Sequence, residues 1–177
     1  LPSLSPFSYV VLTLVGRDGA TAPELVDMMG RGRIYWSASR SQWYAEPRKL
    51  AEAGYLKGSE EAGVTGPRVR YTLTAKGRRA VADWVRTPVG LPRIQHEALV
   101  RVLAADLADD PADVLAGLRP MRDELHATRA AIAASREHAT ELPDRRKRLL
   151  AQHQMADRLL DAFEHWLDDV EELLGGN

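Results

Sequence analysis

A chain of 177 residues with 45% hydrophobic content is long and apolar enough to bury a core, as one domain with a substantial appendage or as two small ones. It has no cysteine, which excludes disulfides and thiolate metal sites. No apolar run approaches the ~20 residues of a membrane span, so the expected location is cytoplasmic. The formal net charge of −1 hides an asymmetry: residues 1–90 carry 13 Lys/Arg against 8 Asp/Glu, and residues 91–177 carry 11 against 17. A basic half followed by an acidic half suggests that only the first meets a polyanion.

The opening LPSLSPFSYVVLTLVG is apolar but lacks the basic region of a signal peptide. Ser5-Pro6 reads as an N-cap followed by proline in the first helical turn. Phe7, Val10, Val11, Leu14 and Val15 follow at helical spacing, and Asp18-Gly19 is expected to stop the helix. A second short helix fits Thr21 to Met29, with Leu25, Met28 and Met29 inward, ended by Gly30 and Gly32. A third begins near Ser39, where Ser39-x-x-Gln42 has capping-box spacing. Its Trp43, Pro47 and Leu50 share one face, and Ser41, Ala45, Arg48 and Glu52 lie opposite. Gly54 fits the residue just past its end.

Tyr55-Leu56 and Val69-Tyr71-Leu73 read as short strands around a Gly/Glu/Pro-rich tip, with Arg68 and Arg70 on the alternate face. Thr74 caps a fourth helix running through Ala80, Val81, Trp84 and Val85. Thr87 to Pro92 is a linker by its Pro and Gly content, which divides the chain into domains over 1–88 and 89–177.

Beyond the linker every segment reads as helix. One covers about 93–108, and Asp110-Pro111 opens another, in which Val114, Leu118, Met121, Leu125, Thr128 and Ile132 alternate at spacings of four and three. Leu142-Pro143-Asp144 ends it. The last helix keeps the same alternation through Leu149, His153, Ala156, Leu160, Phe163, Leu167, Val170 and Leu174. A second line, Leu159, Trp166 and Leu173, widens its apolar face. Two such helices joined by a tight turn form an antiparallel hairpin. The breadth of the last face predicts a second copy of the chain against it, with Leu149, Leu160, Leu167, Val170 and Leu174 at the dimer interface; packing on its own winged helix is the alternative.

A polar, basic helix followed by a basic hairpin suits a DNA major groove and its flanking backbone, the arrangement of a winged helix. Arg40, Gln42, Tyr44, Arg48 and Lys49 are the base-reading candidates. Arg pairs bidentately with guanine and Gln with adenine, although the capping box competes for Gln42 and the core for Tyr44. Ser37, Ser39 and Ser41 can bond phosphates through hydroxyls or helix-start amides, or simply cap. Arg68 and Arg70 are placed for phosphate or minor-groove contact, with a solvated strand face as the alternative. Lys76, Arg78 and Arg79 read as solvated. Arg31-Gly32-Arg33 has the look of a minor-groove hook without its proline and reads better as a turn.

None of the five histidines has metal-site spacing, and no nucleophile elbow, P-loop or dinucleotide fingerprint occurs. No metal, no cofactor and no enzymatic activity are expected. Phe163 and Trp166 are candidates to line a cleft for an aromatic effector, against packing as the plainer role.

These residues resemble the PadR family of bacterial transcriptional regulators, in particular members with a long C-terminal helical domain. The similarity covers roughly residues 7–86. It rests on SRSQWYAEPRKLAEAGYL, on GPRVRYTLTAKG, on Trp84, and on Tyr44, Leu50, Gly54, Tyr71, Leu73, Thr74 and Gly77 in the family's positions. In the second half the likeness lies in the hairpin and in Trp166 within WLDD. Pro47 departs from the pattern, where a leucine-like residue is expected, and a mid-helix proline bears on the orientation of Arg48 and Lys49.

The resemblance implies a mainly α fold with a small β-hairpin: a winged helix-turn-helix followed by an antiparallel helical hairpin. It implies a homodimeric, usually repressive regulator bound to double-stranded DNA at an inverted-repeat operator, released by a small aromatic effector. A different reading of the same features is a winged helix that binds protein, with the hairpin for assembly. A MarR-like winged helix is a third, but here almost all the dimer helices follow the wing.

Overall fold

Ser5 opens the first helix by accepting a hydrogen bond from the Ser8 amide, with Pro6 in the first turn. This helix, α1 (Pro6–Val15), ends three residues earlier than Asp18-Gly19 would place it, because Gly16 turns the chain with φ 56°. The computed structural model describes residues 4–30, 35–63, 66–139 and 143–176. The Arg31-Gly32-Arg33 turn and Leu142 lie outside them.

The chain divides into two compact units, Leu1–Gly90 and Leu91–Asn177. In the first, α1 is followed by a two-residue strand, β1 (Ala20–Thr21), then α2 (Ala22–Gly30) and α3 (Arg40–Glu52). A hairpin of β2 (Leu56–Glu61) and β3 (Arg68–Leu73) leads into α4 (Ala75–Trp84). The sheet order is β1-β3-β2, all antiparallel, with Ala20 opposite Tyr71, Thr21 opposite Arg70, and Glu61 opposite Arg68. This is a winged helix. Strand β1 has no sequence signal, being too short to show alternation.

The core gathers Val11, Leu12 and Val15 from α1, Leu25 from α2, Trp43 and Leu50 from α3, and Leu56 and Tyr71 from the hairpin. Met28, expected inward, is exposed, while Val26 and Met29 pack on the core. Aromatic contacts complete the frame. Phe7 meets Trp43 edge-on at 4.8 Å and lies parallel to Trp36 at 6.3 Å, and Tyr9 stacks on Trp84 at 4.7 Å. Gly77 of α4 lies against the Tyr55 carbonyl, where a Cβ would not fit.

The second unit begins without regular structure, and its first helix, α5 (Glu97–Leu103), is shorter than the 93–108 expected. His96 holds extended backbone (φ −130°, ψ 109°) with its ring 5.1 Å from Phe163. The helix therefore starts only beyond it, and it tightens into a 3-10 turn over Ala104–Leu107. The Asp110 carboxylate then accepts from the Ala112 amide at the start of α6 (Pro111–Ala139), and α7 (Arg146–Gly175) runs back along it.

Leu118, Leu125, Ile132 and Ala139 are buried at every seventh residue of α6, facing His153, Ala156, Leu160, Leu167 and Val170 of α7. Ion pairs repeat at the same interval beside this seam. Arg122 bonds Asp168 (2.9 Å) and Glu171 (3.1 Å), Arg129 bonds Asp161 (2.9 Å) and Glu164 (2.8 Å), and Arg136 bonds Asp157. The partners descend in number as the arginines ascend, as antiparallel helices require.

This geometry gives three of the five residues expected at the dimer interface cover within the chain itself. Leu160 and Leu167 are each 2% exposed, and Val170 is buried with them inside a single chain, while Leu149 and Leu174 are half-buried. A heptad seam shows that a helix has a partner, and here the partner is α6 of the same chain. Exposed apolar side chains of this unit include Leu99, Val100, Leu103 (80%) and Leu107 (82%), Leu91 and Ile94 before them, and Leu150, Met155 and Leu173 on α7. Among the described residues no helix is long and apolar enough to cross a membrane.

Candidate nucleic-acid interface

The third helix is fixed at its start by the full capping box. The Ser39 hydroxyl accepts from the Gln42 amide, and Gln42 Oε1 accepts from the Ser39 amide at 2.8 Å. Gln42 Oε1 is thus committed to the backbone, which removes the acceptor that a bidentate pair with adenine needs. Ser39 is the cap itself, its hydroxyl 2.9 Å from that of Ser41, and Ser37 is exposed just before it.

The inner face of α3 buries Trp43, Pro47 and Leu50. Pro47 lacks the N–H that would reach the Trp43 carbonyl, yet the helix continues unbroken to Glu52, because the proline ring fills the core position. Arg48 and Lys49 therefore stay on the helix and are exposed. Ser8 of α1 adds a polar anchor: its hydroxyl donates to Glu46 Oε1 at 2.5 Å. At the other end Ala53 closes the helix, Gly54 follows with φ 76°, and Lys76 Nζ donates to the Ala53 carbonyl at 2.7 Å while lying over the Tyr55 ring. Lys76 is thus a tether between α4 and α3 rather than a solvated charge, and Arg78 likewise donates to the Leu73 carbonyl.

What α3 presents outward is Arg40, Ser41, Tyr44, Arg48 and Lys49, all exposed. The Arg40 guanidinium lies 5.9 Å from the centre of the Tyr44 ring, so the two form one cationic-aromatic patch. Arg48 stands near the hydroxyl of Tyr71, whose pKa burial raises and Arg48 partly lowers.

The two wing arginines differ. Arg68 is half-buried near the tip, and its Nε has no hydrogen-bond partner among the described residues. Arg70 is engaged through four of its five donors: Nε donates to Glu61 Oε2 (2.6 Å), Nη2 to Glu61 Oε1 (3.2 Å) and Glu24 Oε1 (3.0 Å), and Nη1 to the Gly19 carbonyl (3.2 Å). These bonds, first to Glu61 and then to Glu24, raise its pKa. Burial alone would raise the Glu24 carboxyl, but the Thr21 amide and Arg70 outweigh it and lower its pKa. Arg70 does not stand free for a phosphate, because its charge is compensated inside the fold. Sequence spacing alone puts Arg68 and Arg70 on one face and says nothing of the carboxylates that meet Arg70.

No protein-family model matches the chain, and no curated protein matches it. Solved structures do. Bacillus subtilis PadR in complex with operator DNA superposes with a TM-score of 0.80 at 17% identity, over 96% of this chain and 99% of that one. The chain has the PadR fold. The same PadR in complex with p-coumaric acid matches at 0.70 and 17% identity, over 97% and 98%. The PadR-like transcriptional regulator BC1756 from Bacillus cereus matches at 0.76 and 15%, over 96% and 98%. The Vibrio cholerae virulence activator AphA matches at 0.58 and 19%, over 96% and 98%. The match spans both units of the chain, so the helical hairpin belongs to the shared fold along with the winged helix.

In the second unit a residue that spacing did not single out, His96, lies beside both Phe163 and Trp166. The His96 ring is 5.1 Å from Phe163 and 6.3 Å from Trp166. Among the described residues no group of three or more His, Asp or Glu side chains is placed to hold a metal.

Proposed function

We propose that this chain is a DNA-binding transcriptional regulator, a homodimeric repressor that recognises an inverted-repeat operator through α3 and steadies itself with the wing. The observation that carries this reading is the outward face of α3. Arg40, Tyr44, Arg48 and Lys49 are exposed there, on a helix capped, anchored and packed so that its other face cannot turn out. The fold is also that of a PadR captured on operator DNA. Ser37 and Ser41 flank the helix start, where hydroxyls and amides suit phosphates. Arg68 is the wing's phosphate contact. The protein acts by binding and is not an enzyme.

The second copy docks on the exposed stripe of Leu99, Val100, Leu103 and Leu107, an apolar surface of the kind that marks an association site. The effector is a planar aromatic compound that takes the place of the His96 ring against Phe163 and Trp166. PadR of the same fold has been crystallised with p-coumaric acid. Such a ligand lowers operator affinity only insofar as it prefers the DNA-incompetent state.

The test is selection of genomic fragments on the purified protein, followed by titration of the enriched duplex at several salt concentrations. Replacing Arg40, Arg48 and Lys49 by Ala together lowers the salt slope by about 0.9 for each phosphate that is no longer neutralised. Binding by this triple variant equal to that of the wild type would overturn the assignment of α3.

A further inference from the structure

Resting on the DNA-binding reading above, we propose that Arg70 is a positioning residue: it locks the wing to the start of α2 and thereby sets where Arg68 reaches. A guanidinium has five N–H donors. Four are occupied here, by two oxygens of Glu61, one of Glu24 and the Gly19 carbonyl. One donor remains, on Nη1, and a bidentate phosphate contact needs two. Two carboxylates around one guanidinium also leave the cluster with a net negative charge, which repels a phosphate.

The partners come from three separate elements. Glu61 ends β2, at the wing tip. Glu24 lies in the first turn of α2, where its Oε2 accepts from the Thr21 amide at 2.8 Å and its own amide donates to Thr21 Oγ1 at 3.4 Å, a capping box. Gly19 precedes β1 and has φ 77°, with no room for a Cβ beside the Tyr71 carbonyl. One side chain therefore joins the wing to the strand and helix that begin the helix-turn-helix.

Its place in the ladder explains why a lock is needed there. Strand β1 backs β3 only at Arg70 and Tyr71. Beyond that point, toward the tip, β2 and β3 have only each other, through Glu60 with Val69 and Glu61 with Arg68. A two-stranded ribbon is marginal by itself, so the wing can swing about Arg70. The guanidinium spans that hinge: its backbone is in the backed part, and Glu61 is in the free part. Arg68 lies two residues further out on the same face, so its reach follows the setting of the lock.

Glu61→Ala separates positioning from simple charge. It removes a negative charge from the wing, so electrostatics alone predicts tighter DNA binding. The lock predicts weaker binding instead, on the order of tenfold if Arg68 no longer reaches its phosphate. Arg70→Ala combined with Arg68→Ala gives the second arm. A lock acting through Arg68 leaves the double variant no weaker than Arg68→Ala, with a salt slope reduced by about one; an independent phosphate contact reduces it by about two. The third arm needs no DNA: ¹⁵N relaxation of the free protein should show the amides of Ser59–Glu61 and Arg68–Val69 gaining mobility in both Glu61→Ala and Arg70→Ala, with melting of the helices unchanged. If the wild type binds no duplex, the DNA-binding reading fails and this third arm alone judges the lock. Unchanged wing relaxation, or a salt slope reduced by about two in the double variant, overturns the proposal.

Discussion

Leu160 decides whether the α7 seam belongs to one chain or to two. Its side chain is 2% exposed, on the α7 face that lies between Ala156 and Leu167 and packs on α6. Truncation to Ala removes buried methyl groups and leaves a cavity, for a cost of about 2–5 kcal/mol. In a unit of this size each kcal/mol moves the melting midpoint by about 4–8 °C, so Leu160→Ala should lower the midpoint of the helical unit by at least ~8 °C. The assay is thermal unfolding followed by far-ultraviolet circular dichroism at several protein concentrations. An intrachain seam makes the loss the same at every concentration, whereas an intersubunit seam makes the loss appear as weaker association. Leu103→Glu is the contrasting variant. It places a charge on a side chain that is 80% exposed, so it should leave the fold of the single chain intact and divide the proposed dimer in sedimentation. A Leu160→Ala protein that unfolds like the wild type but sediments as a monomer would refute the intrachain seam.

Gly77→Ala should destabilise the winged helix. The added methyl meets the Tyr55 backbone oxygen, and overpacking of about 1–3 kcal/mol against an atom that cannot turn aside outweighs the ~1 kcal/mol that Ala gains in a helix; a raised melting midpoint would refute this. Ser39→Ala should cost about 1 kcal/mol through the lost N-cap, whereas Ser41→Ala, which caps nothing, should stay within about 0.5 kcal/mol; equal losses in chemical denaturation would contradict the capping geometry. The His153 pKa is lowered from its usual 6.5 by burial and then by Arg136, with Asp157 opposing. The unfolded chain therefore binds that proton more readily, and hairpin stability, full above pH 6.5, should fall as the pH drops from there through the folded value. Unfolding measured at about pH 7.5 and 5.5 should show the decline in the wild type and a smaller one in His153→Gln; a gain on acidification would refute it.

Patterns decided by residues close together in sequence carried through at several helix ends, whereas α1 stopped at Gly16 and α5 began only at Glu97. Ser5 before Pro6, Ser39 with Gln42, Thr74 and Gly54 each mark a helix end through bonds spanning three or four residues. The buried seams of α6 and α7 follow from side-chain period alone. Tertiary structure decided the rest. Periodicity says that Leu160, Leu167 and Val170 are covered, but whether α6 or a second copy covers them depends on how the turn folds back. Met28 lies at core spacing like Met29, yet the neighbours of α2 cover Val26 in its place. Arg68 and Arg70 are indistinguishable in sequence, two arginines on one strand face. Only the fold brings Glu24, 46 residues away in sequence, to Arg70. A guanidinium's role is set by which carboxylates reach it, and that is a property of three-dimensional proximity, which no local pattern encodes.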